Sequence, residues 1–266
     1  NNQTSGDQAA TARHDHIAWG RIAPWLGMQA GCLLVFVVGW SPVAVGVAVA
    51  LYIIRMFAVT AFYHRYFSHR AFVLSRPMQL MAAVLGASAV QRGPLWWAAH
   101  HRNHHRHSDG EQDSHSPHTH SIWWSHVGWF TTRGAWETDM RQVRDFAKFP
   151  ELVWLDRHDK VVPVILLVAL AMFGGYLGSA HPELGTNALQ MVVWGFCIST
   201  TLLFHITASV NSVAHLVGRR VWPTRDHSRN SLLLALVTLG EGWHNNHHWH
   251  PGSVRQGFRW WQIDIT

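Results

Sequence analysis

The chain has 266 residues, of which 48% are hydrophobic and only 14% are charged, roughly half the charged share of a typical soluble domain. Together with 16 Trp, this balance favours a membrane protein. The net charge of +6 does not indicate nucleic-acid binding, because the basic residues form no contiguous run with interleaved aromatic residues. Cys32 and Cys197 lie in apolar runs, so neither a disulfide framework nor a cysteine zinc site is expected.

Four apolar stretches have nearly the ~20 residues that a helix needs to cross a bilayer. They run over about 24–40, 42–62, 161–177 and 188–206. A tight turn through Ser41 and Pro42 joins the first two, and a short loop containing Pro182 joins the last two. The sequence therefore predicts an all-α membrane protein with four transmembrane helices in two hairpins.

Positive charge predicts how these helices are oriented. Neither hairpin loop contains Lys or Arg, so by the positive-inside rule both termini and the long middle segment face the cytoplasm. We divide the chain into an N-terminal cytoplasmic segment (1–23) and a single membrane domain (24–266), with a cytoplasmic helical cap over 63–160 and 207–266. The apolar run 78–90 is too short to span and predicts an interfacial or partly buried helix. The chain lacks an initiator Met and stops abruptly, so we expect it to belong to a longer gene product.

Eight histidines form three short motifs in the predicted cap. The motifs are His64 and His69 in HRYFSH, His101, His104 and His105 in HRNHH, and His244, His247 and His248 in HNNHH. On a helix, the spacing HxxHH places three imidazoles on one face, where they can grip one metal ion. His64 and His69 point about 140° apart on a regular helix, so they serve different metals or lie at a helix end. This arrangement indicates a two-metal centre.

Placement strengthens this interpretation, because all three motifs lie on the cytoplasmic side of the predicted spans. Neutral imidazole suits iron, zinc, copper or nickel, so the ligands alone leave the metal open. Four acidic residues are candidates to orient the imidazoles from behind: Asp109, Glu111, Asp113 and Glu241. Five further histidines are left out of the predicted ligand set: His107, His115, His118, His120 and His126.

The motifs HRYFSH, HHRNHH, SHVGW and GEGWHNNHH resemble, in this order and placement, those of the membrane fatty acid desaturases, particularly the acyl-CoA (stearoyl-type, delta-9-like) branch. The resemblance covers nearly the whole chain. It implies a ninth histidine ligand, His215, in the segment NSVAH, with Asn211 acting through water. The implied iron ligands are His64, His69, His101, His104, His105, His215, His244, His247 and His248.

The resemblance also implies a reaction and its participants. Two iron ions and O2 as co-substrate would introduce a cis double bond into a fatty acyl chain by two hydrogen abstractions, and zinc can replace iron in purified samples. Because the sequence shows no haem, flavin or iron-sulfur motif, a separate ferredoxin-like or cytochrome b5-like donor with its reductase is expected on the basic face. Animal members often carry Arg-Asp where this chain has Ala99 and His100, which leaves CoA, carrier protein or membrane lipid open as the head group.

The acyl chain is expected in an apolar tunnel between the second and fourth spans, beneath the metal centre. Candidates for its lining are Ala48, Leu51, Tyr52 and Phe57, weighed against a plain core-packing role. Arg55, near the inner end of the second span, is a candidate for contact with a head group.

Other functions remain open at this level. A related membrane di-iron hydroxylase or carotenoid-modifying oxygenase would keep the histidine cage and insert oxygen instead. A histidine-rich zinc transporter or metal buffer is a further alternative, but transport ligands belong near the membrane midplane and these motifs lie at the cytoplasmic ends. A receptor or scaffold would leave three convergent motifs unexplained.

Overall fold

The computed structural model describes residues 16–266, so residues 1–15 of the predicted N-terminal segment lie outside the described residues. Within the described range the secondary structure is helical apart from three isolated bridges. In chain order the helices are α1 (Trp19–Val38), α2 (Pro42–Ser68), α3 (Arg76–Ala87), α4 (Pro94–His107), α5 (Arg144–Ala147), α6 (Pro150–Arg157), α7 (Val161–Ala180), α8 (Ala188–His215), α9 (Leu232–Val237) and α10 (His244–Trp249).

Four of these helices, α1, α2, α7 and α8, are long and apolar enough to cross a membrane. They coincide with the four predicted spans and confirm the all-α architecture. However, α2 continues to Ser68 and α8 to His215, well beyond their predicted inner ends at 62 and 206. Both helices therefore carry histidines of the site on their own extensions.

Local sequence explains the sharp turn between α1 and α2. Gly39 has a φ of 64°, a left-handed conformation that glycine adopts without steric cost. The Ser41 hydroxyl then accepts a 3.1 Å hydrogen bond from the backbone N–H of Ala44, and Pro42 occupies the first turn of α2. This N-terminal helix cap starts α2 directly after the turn, so the first two spans form a tight hairpin.

The inner end of α2 is wound more widely than an α-helix. Over Ala58–Ser68 the backbone bonds span five residues, and the last of them runs from the N–H of His69 to the carbonyl of His64 over 3.1 Å. A similar wide stretch, Val192–Ile198, lies within α8. In α2 this winding rotates the end of the helix that carries the first histidine motif.

The cap packs around this end of α2. Tyr63 and Phe67 of α2 are fully buried against Leu95 of α4 and Leu152 of α6, and each such side chain contributes roughly 1.5–3 kcal/mol when it leaves water. A Cβ at Gly86 of α3 would lie 2.1 Å from the Tyr63 ring, so glycine is required where α3 crosses α2. α3 covers most of the apolar run 78–90.

Candidate metal centre

Five imidazoles converge where α2, α4 and α10 meet. Their ligand nitrogens all lie within 4.8 Å of one another: His64, His69, His101, His105 and His247. Successive Nε2 atoms are close, with 2.8 Å between His69 and His101, 3.1 Å between His69 and His64, 3.0 Å between His64 and His247, and 2.8 Å between His247 and His105. We call this set the five-histidine group.

Four further imidazoles form a second set beside the first: His104, His215, His244 and His248. The Nε2 atoms of His215 and His244 are 3.0 Å apart. Nε2 of His248 is buried and has no hydrogen-bond partner among the described residues. We call this set the four-histidine group, and together the two groups contain all nine predicted histidines.

The structure corrects the expectation that each HxxHH motif grips one ion. In α4, His101 and His105 belong to the five-histidine group, whereas His104 belongs to the four-histidine group. In α10 the division is reversed, because His244 and His248 join the four-histidine group and His247 joins the other. The two short helices therefore share their histidines between both groups.

The first motif lies at a helix end, which is one of its two predicted alternatives. On a regular helix His64 and His69 would diverge, but both belong to the five-histidine group. The wide turn at the end of α2 changes their angular spacing and brings their Nε2 atoms within 3.1 Å. Of the two predicted alternatives, two different metals or a helix end, the second therefore holds, because His69 lies directly after the last residue of α2.

Carboxylates stand behind four of the imidazoles. The Nδ1–carboxylate distances are 2.9 Å for His104 and Asp113, 3.0 Å for His215 and Asp109, 2.6 Å for His248 and Asp226, and 2.6 Å for His64 and Glu241. Three of these acids were predicted, whereas Glu111 is exposed. Asp226 was missed, because no motif or spacing connects it to His248.

Burial keeps seven of the imidazoles neutral, those of His69, His101, His104, His105, His244, His247 and His248. It lowers the pKa of His104 from its usual 6.5 to about 3, and Asp113 offsets only part of this effect. Burial, followed by repulsion from neighbouring imidazoles, lowers the pKa of His101 and His247 well below the usual value. Burial alone would raise the pKa of Asp113, but His115 and His104 hold it well below its ordinary value. Asp113 and Asp226 therefore accept hydrogen bonds from the Nδ1–H groups of neutral His104 and His248.

This arrangement suits a cation at the centre. Where the proton lies on Nδ1, Nε2 carries a lone pair, and Nε2 atoms 2.8–3.1 Å apart can converge on one positive ion. Ligands about 2.1 Å from an ion and at right angles are themselves about 3 Å apart. The unpartnered Nε2 of His248 adds a further free ligand atom. The residues therefore fit a metal centre of nitrogen ligands.

A network of amides holds α10 and its three histidines. The side-chain oxygen of Asn230 accepts hydrogen bonds from the backbone N–H groups of Asn245 (2.9 Å) and Asn246 (3.1 Å). Nε2 of Gln256 lies 3.2 Å from Nδ1 of His247. These residues orient ligands without binding metal, and sequence spacing gave no signal for Asn230 or Gln256.

A largely aromatic cavity of about 140 Å³ leads to the metal centre. Its walls come from α1, α4, α8 and the segment after α4, and include Trp25, Trp96, Trp97, Trp129, Phe130 and Phe204. A smaller cavity, of about 30 Å³, touches His64 and His244 and so borders both groups. The two cavities share His101 and Asn211 as lining residues. Asn211 therefore lies beside the centre, next to α8's His215.

The proposed tunnel residues lie elsewhere. Ala48, Leu51, Tyr52 and Phe57 line neither cavity. Leu51 packs on the apolar cluster around Leu170, and the Tyr52 hydroxyl donates to the carbonyl of Val237. The cavity is lined instead by α8, α1 and α4. Which helices line it depends on how they pack, and the sequence pattern alone does not predict that packing.

Arg55 requires a correction, because it is only 1% exposed. Its guanidinium donates to the hydroxyls of Thr200 (2.7 Å) and Ser199 (2.6 Å), and to the carbonyl of Ser88 (3.3 Å). These bonds satisfy a cation inside the helix bundle. Arg55 thus ties α2 to α8 and does not reach a head group at the surface.

Comparison with known proteins agrees with this geometry. Residues 38–265 match the family model described as fatty acid desaturase. An sn-1 stearoyl-lipid 9-desaturase from Anabaena variabilis is 34% identical over 260 residues, covering 97% of this chain and 90% of the relative. A chloroplastic palmitoyl-monogalactosyldiacylglycerol delta-7 desaturase from Arabidopsis thaliana is 36% identical, covering 93% of this chain and 64% of the relative. An acyl-CoA 5-desaturase from Anemone leveillei is 36% identical, covering 90% and 71%.

The family model extends over all three histidine motifs, both histidine groups and three of the four apolar helices, and it begins at the last residue of the first. Together these features describe an integral membrane protein with a metal centre. The chain belongs to the fatty acid desaturase family and is an oxidoreductase that desaturates fatty acyl chains.

Proposed function

We propose that the five-histidine and four-histidine groups each hold one iron ion, with Asn211 completing the second through a water molecule, and that the aromatic cavity receives the acyl chain. The observation that carries this proposal is the convergence of nine imidazoles beside that cavity. Once reduced, such an iron pair supplies the O2-dependent removal of hydrogen from unactivated methylenes. The reaction converts two adjacent methylenes, O2, two electrons and two protons into a cis double bond and two molecules of water.

The chain's own residues position the acyl chain. The side-chain N–H of Gln91 donates a 3.1 Å hydrogen bond to the hydroxyl of Thr207, and the side-chain oxygen of Gln91 accepts a 3.3 Å hydrogen bond from the indole N–H of Trp97. This clasp joins the loop before α4 to α8 at the wall shared with His101. Aromatic walls bind methylenes and exclude water, and the clasp fixes the width of the passage beside the metal centre.

We infer that the acyl chain is carried by a membrane lipid. The relative aligned over 97% of this chain is named for a stearoyl-lipid, and a second for a galactolipid, although a third is named for acyl-CoA. Arg55, the one residue predicted to contact a head group, is enclosed in the bundle. A lipid substrate also reaches the cavity from within the bilayer.

Electrons must come from a separate protein, and we propose that this donor docks on the cap. The cap exposes basic side chains such as Arg106 and Arg141, and the absence of Lys and Arg from the hairpin loops supports a cytoplasmic cap. Such a surface attracts an acidic donor of the ferredoxin or cytochrome b5 type.

Expression in cells that lack their own desaturase tests the proposal. Fatty acids are separated by lipid class and analysed by gas chromatography and mass spectrometry, beside a His104→Ala, His105→Ala variant and the control His120→Ala, which changes an exposed histidine outside both groups. New monounsaturated chains in intact lipids, lost only in the double variant, are expected. Products confined to acyl-CoA would exclude the lipid substrate, hydroxylated chains would favour an oxygenase, and zinc uptake without new lipids would favour a transporter.

A further inference from the structure

A second set of metal-binding side chains lies on the cap, outside the nine-histidine centre. It consists of Asp109, His118 and His227, whose candidate ligand atoms all lie within 4.8 Å of one another. Asp109 follows α4, His118 lies in the next loop, and His227 lies between α8 and α9. The rings of the two histidines stack with centroids 4.0 Å apart. Distant parts of the chain therefore meet in one set, which we call the surface site.

The surface site combines accessible imidazoles with a buried carboxylate. His118 is exposed, and the side chain of His227 is 50% exposed, whereas that of Asp109 is only 3% exposed. Two imidazole nitrogens and one carboxylate oxygen suit Zn²⁺ and similar divalent ions, with water in the remaining position. Because both imidazoles face solvent, an ion can reach the site directly.

The ligands are already held in place. Oδ2 of Asp109 accepts a 2.7 Å hydrogen bond from the backbone N–H of His227 and lies 3.3 Å from its Nδ1. Oδ1 of Asp109 accepts a 2.8 Å hydrogen bond from the Ser116 hydroxyl, and Nε2 of His118 lies 3.0 Å from the carbonyl oxygen of His215. Ligands fixed in this way lose little conformational freedom when they bind an ion.

The same carboxylate also touches the nine-histidine centre. Oδ2 of Asp109 lies 3.0 Å from Nδ1 of His215, whose Nε2 faces Nε2 of His244 at 3.0 Å. A carboxylate behind a metal-binding histidine sets the orientation and basicity of its imidazole. A cation on Asp109 draws electron density from that carboxylate and weakens its hold on His215. Occupation of the surface site therefore alters the four-histidine group.

We propose that Asp109, His118 and His227 form a third, solvent-accessible metal site for Zn²⁺ or a chemically similar divalent ion, and that an ion bound there slows desaturation. The effect on turnover rests on the proposed function, whereas binding of the ion does not. The site is chemically distinct from the centre, since it includes a carboxylate and faces water.

Binding is tested on the full chain, purified in detergent with its metal centre loaded with iron. Zn²⁺ is titrated by calorimetry, and Zn and Fe per chain are counted by mass spectrometry after desalting. The parent is compared with the variant His118→Ala, His227→Ala, with the milder His227→Asn, and with the control His120→Ala from the same loop. We expect one added Zn per chain with unchanged iron in parent and control, and at least about tenfold weaker binding in both site variants.

Retained iron in the site variants shows that they are folded. Equal Zn²⁺ binding by parent and site variants, or no added Zn in the iron-loaded parent, would overturn the site. Turnover is then measured with and without Zn²⁺, and inhibition is expected in the parent and control but not in the site variants. Binding without this difference in inhibition would overturn the coupling through Asp109. Added Zn in a parent that never desaturates lipid would contradict the proposed function and leave the surface site standing.

Discussion

At the scale of single residues, the carboxylates behind the histidines decide how firmly the centre binds metal. Asp226 illustrates this, because Oδ2 lies 2.6 Å from Nδ1 of His248 while Oδ1 accepts a 3.0 Å bond from the backbone N–H of Ser228. Burial would raise the pKa of Asp226, but His248 and Ser228 hold it well below its ordinary value. The ionised carboxylate fixes the proton of His248 on Nδ1 and turns Nε2 towards the centre.

Asp226→Asn is therefore expected to weaken metal binding by about 10–100-fold without unfolding the chain. The amide keeps the shape of the side chain but loses the charge that polarises His248. Competition with a graded chelator, followed by metal counting, measures the effect. Asp139→Asn, at an exposed carboxylate paired with Arg141, is the matched control and should bind metal like the parent. Equal metal retention in the two variants would contradict this role for Asp226.

Acid is expected to destabilise the metal-free protein. The pKa of His104 falls from its usual 6.5 to about 3 on burial, so between these values the unfolded chain binds a proton that the folded chain does not. Stability is therefore greatest above about pH 6.5 and declines as the pH falls towards 3, by up to about 1.4 kcal/mol per pH unit for each such histidine. Denaturant unfolding in detergent at pH 7.5, 6.5 and 5.5 measures this slope, and unchanged or rising stability in acid would refute it.

At the scale of elements, α10 supplies histidines to both groups, so its position controls the whole centre. Asn230 holds its first turn by accepting hydrogen bonds from Asn245 and Asn246 and by donating to the Asn246 side chain over 2.7 Å. The side chains of Asn230, Asn245 and Asn246 are all buried. If one of them loses its hydrogen-bond partner, water cannot take the partner's place.

Asn230→Ala is expected to lower stability by about 1–3 kcal/mol and to release metal from both groups together. Thermal unfolding with and without metal, combined with metal counts, measures both effects. Asn103→Ala removes a side-chain bond to the carbonyl of Gln112 at an exposed position and should change neither. Loss of one metal with firm retention of the other would show that α10 does not act as a unit.

The sequence predicts the elements better than the geometry they create. Four spans follow from apolar length, and the histidine motifs follow from spacing, because both depend on nearby residues. The division of His101, His104 and His105 between two groups depends on how α4 crosses α2 and α10, which spacing does not encode. Likewise, the sequence does not show that α2 ends in a wide turn, and this turn brings His64 and His69 together where a regular helix would point them apart.

At the scale of the whole molecule, the extensions of α2 and α8 connect the membrane to the cap. α8 carries Phe204, Thr207 and Ala208 along the aromatic cavity before reaching Asn211 and the metal centre. Under the proposed function, the same helix therefore lines the path of the acyl chain and supplies a metal ligand. Its packing would then set how the methylenes of the chain are placed beside the metal centre.

Filling the cavity should separate substrate binding from metal binding. Ala208 is 6% exposed and lines the cavity of about 140 Å³, so Ala208→Phe places a ring where the acyl chain is proposed to lie. We expect desaturation to fall by at least about tenfold while the metal content stays that of the parent, because productive placement is lost but the ligands are not touched. Ala180→Phe, at the exposed end of α7, adds the same ring away from the cavity and should leave product formation unchanged. Full activity of Ala208→Phe, measured as monounsaturated product per metal-loaded chain, would show that the acyl chain approaches the centre by another route.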